Sequence, residues 1–158
     1  MLYSWINAST FGRYTAIPTD LPANLIPTLK LYITTADVAL LGSAMDITAL
    51  LLELAPKAAF AEVERDVLPD AYGIAYSPLL AGAPFESLLA FFAALVVADM
   101  QIATHVVPNL VAAVEKAPKN EASLTNVAKC VGQVVKSQRA VAAGTIAEFR
   151  KHLRVSNE

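Results

Sequence analysis

Apolar residues recur along most of this chain at spacings of three, four and seven, the pattern of helices with one face turned inward, and prolines cut that pattern into segments. Residues 1–28 do not share it. There Tyr3, Trp5, Phe11 and Tyr14 are mixed with Ser and Thr and with Pro18, Pro22 and Pro27, and each proline biases its predecessor away from helix. This stretch reads as an extended N-terminal arm, followed by a helical bundle domain over 29–158. From about Leu29, the positions Ile33, Leu40, Ala44, Ile47, Leu51 and Leu54 predict a first helix near 29–54 that Pro56 stops. Pro56 itself suits a first helical turn. Phe60, Val63 and Val67 then share one side of a short helix ending before Pro69, and Tyr72 to Tyr76 reads as a connector.

The two longest elements follow. Between Pro84 and Lys116, the positions Phe85, Leu88, Leu89, Phe92, Val96, Ala103, Val106, Val107, Leu110 and Val114 fall within about a third of a helical wheel. The opposite side carries Ala90, Ala94 and Ala98, then Gln101, His105, Asn109 and Lys116, so the first half should be buried on both sides and only the second half has a wet side. Pro108 predicts a kink, because it lacks a backbone donor and crowds the preceding turn. A turn at Ala117 to Asn120 ends this helix, and Asn120 is placed to cap the next one, which runs to about Leu153. At about 1.5 Å per residue both helices approach 50 Å. A connection this short makes them an antiparallel hairpin. The expected fold is all-α, a bundle of about four helices dominated by the long antiparallel hairpin 84–154, with the arm extended from it.

Composition changes the picture in one respect. Of 158 residues, 56% are apolar and 16% charged, against about 25% charged in an average soluble domain. Such a chain hides surface against a partner or against lipid. Leu88 to Ala98 is 11 residues without a charge; lengthening it to the roughly 20 that a span needs takes in Asp99, Gln101 and His105, so a membrane partner is not expected. Met1 to Asp20 lacks a basic start followed by a long apolar run, which argues against a secretory leader. The single cysteine, Cys130, excludes an internal disulfide framework and a thiolate zinc site. The expected location is cytoplasmic, or within a virion-like particle.

The formal charge is −2, but its distribution is lopsided: residues 1–115 hold four basic and 11 acidic side chains, whereas 116–158 hold eight basic and three acidic. Five of these cations, Lys129, Lys136, Arg139, Arg150 and Arg154, fall into an arc of about 80° on the last helix, beside an inward arc formed by Leu124, Val127, Val131, Val134, Val135, Gln138, Ala142, Ile146, Phe149 and Leu153. Such a ladder suits non-specific contact with nucleic-acid phosphates, or with the acids of a like subunit, and it also suits a solvated flank. No aromatic residue interleaves it, so base stacking is not implied.

Asp99, set within the apolar stripe of the long helix, is expected to be buried and ion-paired, most simply to the basic helix. Asp37 and Asp46 interrupt the first helix in the same way but lie far apart on its wheel. His105 reads as a lone hydrogen-bonded histidine, and His152 pairs with Glu148 at i, i+4. Glu62, Glu64, Arg65 and Asp66 form a surface charge cluster. Phosphate-binding glycine loops, a nucleophile elbow and paired Glu-x-x-His motifs are missing from the sequence. No enzyme activity, metal or cofactor is therefore expected.

These features together predict a structural, self-assembling subunit that packs through apolar helix faces with copies of itself, its arm crossing to a neighbour and its basic stripe near a nucleic-acid backbone. A long helical hairpin bearing cations is similar, in architecture, to helical virus coat proteins. The alternative is a non-enzymatic accessory subunit or binding module that holds an apolar ligand, or joins a membrane-associated complex, through the Ala-lined side of 88–98.

Overall fold

The structure, a computed structural model, describes residues 17–116 and 120–156. It is all-helical among these residues, with seven α-helices: α1 (Leu21–Lys30), α2 (Val38–Leu54), α3 (Pro56–Asp66), α4 (Leu68–Ala75), α5 (Ala83–Ala98), α6 (Ala103–Lys116) and α7 (Glu121–Ser156), with a 3-10 turn at Met100–Ile102. The bundle of about four helices gives way to more and shorter ones, and local chemistry explains each new boundary.

Part of the predicted arm is helix. Pro22 stands in the first turn of α1, where the missing N–H is not needed, and α1 continues through Pro27 for most of another turn. Residues 1–16, and with them the predicted arm's aromatic residues, lie outside the described residues. The predicted helix 29–54 is divided at Asp37, whose carboxylate accepts from the backbone N–H groups of Ala39 and Leu40, both at 3.1 Å. Asp37 thus starts α2 instead of interrupting a longer helix, while Asp46 sits half-buried within α2. Pro56 opens α3 as expected, but Pro69 opens a further helix, α4, so the predicted connector at 72–76 is largely helical. Gly82, at φ +64°, then turns the chain into α5, a conformation that residues with a Cβ resist.

α5 is the hub. Phe85, Leu88, Phe91, Phe92, Ala94, Leu95 and Val96 are all buried, covering more than half of its circumference, and α2, α7, the 3-10 turn and, to a lesser extent, α3 pack around it. Both-sided burial of this segment was legible in its pattern. At Gly42 of α2 a Cβ would stand 3.4 Å from Pro84 Cα, so these two helices approach closely at the start of α5.

The long helix predicted over 84–116 does not exist as one piece. Segments 83–98 and 100–115 meet at 119°. The break lies at Asp99, which is exposed and extended (φ −151°, ψ 106°) and whose carboxylate accepts from Gln101 N at 2.9 Å. The expectation of a buried, ion-paired Asp99 is therefore corrected. A short carboxylate competes for nearby backbone N–H groups, so it ends one helix and caps the next while staying in water. α6, by contrast, runs through Pro108 to Lys116. The predicted Asn120 cap is present: its Oδ1 accepts from Ala122 N at 2.9 Å and Ser123 N at 3.4 Å.

The break sets up a mismatch of lengths. α6 has 14 residues and α7 has 36, which at about 1.5 Å per residue is about 21 Å against 54 Å. The hairpin 84–154 is thus replaced by a short pairing of α6 with α7 and a crossing of α7 over α5. No single helix among the described residues is long and apolar enough to cross a membrane.

Candidate functional site: the outer faces of the last helix

α7 is held by a narrow seam. Val127, Cys130 and Val134 are buried, with Ser123 and Ser137 on the same side, and these small side chains let the helix lie close to α5 and α6. Ser123 Oγ has no hydrogen-bond partner among the described residues. Near its start, the Asn126 side-chain amide donates to the carbonyls of Ser77 at 3.2 Å and Leu80 at 3.0 Å, fixing α7 to the loop after α4. That long-range bond was not foreseeable: an Asn on a helix carries no sign of a partner 46 or 49 residues away. Burial pushes the Cys130 thiol up to about 12, so it is an inert packing group.

The predicted inward arc of α7 is split by the structure. Its Val127 and Val134 face the body, but Leu124, Ile146, Phe149 and Leu153 are exposed. At 100° per residue, the stripe of Ala142, Ile146, Phe149 and Leu153 lies about 110° around the helix from the buried seam. From residue 143 to 154 every side chain is exposed, an overhang of 12 residues, about 18 Å long. Ile146 is 52%, Phe149 64% and Leu153 49% exposed. The mismatch between α6 and α7 accounts for it: among the described residues burial along α7 ends at the half-buried Val141 and Ala142.

All five cations of the predicted stripe are exposed. Lys129, Lys136, Arg139, Arg150 and Arg154 lie about 160° around the helix from the buried seam, so the ladder is turned away from the body. None is in an ion pair among the described residues. Lys129 bends back over the Phe85 ring, its Nζ 5.8 Å from the centroid, a contact worth about 0.5–1 kcal/mol at an exposed site. The others are exposed on a helix that has few acids to answer them.

Elsewhere the charges are local. Arg65 bonds both Glu62 and Asp66, the latter at 2.9 Å, and the guanidinium holds the Asp66 carboxyl below its ordinary range. His105 is exposed, and its carbonyl accepts from the Asn109 side chain at 2.9 Å. Among the described residues no three of His, Cys, Asp or Glu are grouped to hold a metal ion. On the Ala-lined side of 88–98, Ala94 is buried within the fold and Ala90 is exposed. No family model and no curated protein matches this sequence.

Proposed function

We propose that the chain is a structural, self-assembling subunit of coat-like kind, joined to its neighbours through apolar helix faces, above all the overhanging end of α7. The observation that carries this reading is the exposed row Ile146, Phe149 and Leu153 along the end of α7. Helices are stabilised mostly by packing an apolar face, and this row gains a partner when a neighbouring subunit covers it.

Magnitudes favour an array over an isolated pair. Fully burying Ile, Phe or Leu contributes about 1.5–3 kcal/mol each, so covering the exposed half of three such side chains contributes about 3–4 kcal/mol. Association costs at least about 4 kcal/mol in lost freedom. One such contact does not hold two chains together at micromolar concentration, whereas several per subunit do. The outward ladder, with Lys129, Lys136 and Arg139 backed by the body of the protein, would lie along a phosphate backbone in the assembled state, contributing affinity without base specificity.

Light scattering and electron microscopy over a concentration series, in buffer without detergent, test the reading. Particles far larger than the 16.8 kDa chain are expected, with nucleic-acid absorbance when they carry cargo. Lys136→Glu with Arg139→Glu is expected to lower that absorbance while circular dichroism is unchanged. A monodisperse monomer at millimolar concentration refutes the proposal.

A further inference from the structure

We infer that the exposed end of α7 docks into a groove on a second copy of this chain, between the α1–α2 loop and α4, so that subunits join head to tail. This deepens the self-assembly reading above by naming the partner surface, and rests on it. The groove, of about 550 Å³, is open to solvent and lined by Ile33, Thr34, Thr35, Asp70, Gly73 and Ser77. The loop that lines it also leaves Leu31 72% exposed and Tyr32 open to water, and Leu40, in the first turn of α2, is exposed as well. Apolar surface next to a carboxylate-bearing hollow matches a helix end that offers Phe149 and Leu153 flanked by Arg150 and Arg154.

The length of α7 excludes the chain's own groove. Ser77, which lines the groove, is bonded by Asn126 near the start of α7. Phe149 lies 23 residues further along the same uninterrupted helix, about 35 Å away. A straight rod tied beside the groove at one end cannot bring its other end back to it. The overhang and the groove therefore meet only between two molecules.

Charge selects a second copy. Residues 17–115, which form the body and its groove, hold 11 acids and three bases, whereas 143–156 hold three bases and one acid. Opposite potentials on the two ends of one chain attract when chains stack in the same direction and repel when like ends meet. Because the two patches differ, the contact is heterologous, and a joined pair keeps one free patch of each kind: the assembly extends as a filament or closes as a ring.

Paired cysteines read this directly. Gly73 has open space where a Cβ would be placed, and the native Cys130 is buried and stays silent. The full-length chain carrying Gly73→Cys with Leu153→Cys, oxidised gently, is expected to give a ladder of dimers, trimers and higher species on a non-reducing gel. Either single variant is expected to stop at dimer with at least tenfold lower yield, and Ala90→Cys with Leu153→Cys is expected to form no ladder. Absence of the 73–153 ladder from samples that scatter as large particles overturns the docking and leaves self-assembly standing. Equal dimer yield from Leu153→Cys alone also overturns it, because like ends would then be meeting. Particles that fall apart with nuclease and never give the ladder assign the exposed end to nucleic acid, against the inference. A chain that stays monomeric removes both readings together.

Discussion

Replacing Phe149 by Glu separates folding from assembly. In the single chain the Phe149 side chain is 64% exposed, so the substitution should leave the stability of the dissociated chain within about 0.5 kcal/mol. In an assembled contact the same ring forfeits the remaining two thirds of a full burial, about 1–2 kcal/mol, and the new carboxylate, desolvated against an acid-rich surface, costs at least about 1 kcal/mol more. The total is about 2–3 kcal/mol per contact, and about 1.4 kcal/mol is tenfold in concentration. The onset of large species in sedimentation velocity should therefore move up at least about 30-fold. Phe149→Leu, which keeps most of the apolar area, should move it less than about fivefold. Far-ultraviolet circular dichroism and the urea midpoint of the dissociated protein check that the fold is intact. If Phe149→Glu assembles at the wild-type concentration, the overhang is not an interface.

Three further outcomes follow from single residues. Asp99→Ala removes an exposed helix cap and should cost about 1 kcal/mol, a fall in Tm of about 2–4 °C for a chain this long, with Asp99→Asn close to wild type; thermal melts that show no loss, or a gain, on Asp99→Ala would contradict the capping role. Gly82→Ala, at φ +64°, should lose about 1–3 kcal/mol, whereas Gly73→Ala, in helix α4 with open space at the Cβ position, should gain about 0.5–1 kcal/mol, both read from urea denaturation. The Cys130 thiol, pushed up to about 12 by burial, should resist thiol reagents at pH 8 until denaturant is added. The fold favours its protonated form, so its contribution is whole below the ordinary thiol range and is lost as pH rises from about 9 towards 12; a stoichiometric reaction of the native chain at pH 8 would contradict that burial.

Much of the local structure was readable in the chain because its causes are local. Pro56 in a first turn, Asn120 as a cap and the burial of α5 on more than one side follow from backbone donors, fixed φ and periodicity. The breaks at Asp37 and Asp99 escape the pattern for a definite reason: the apolar positions stay nearly in phase across them, so periodicity registers neither the single extended residue at Asp99 nor the seven-residue loop 31–37 that Asp37 closes. The available signal was the aspartate, a residue type that caps more readily than it is buried. The exposed row on α7 was misread differently. Ile146, Phe149 and Leu153 have the spacing of a core-facing stripe, and spacing cannot tell a core from a neighbour.

By itself, then, the sequence determined the helical class, the both-sided burial of α5, the cap at Asn120 and the arc in which five cations share one side of the last helix, because each depends on residues a few positions apart. Tertiary structure alone decided which arc of that helix meets the body and where its support stops. The 119° turn at Asp99 directs α5 and α6 apart, leaving a 36-residue helix beside a 14-residue partner. Asn126 ties its near end to the loop after α4, and what lies beyond the reach of α6 is left to whatever packs against it from outside.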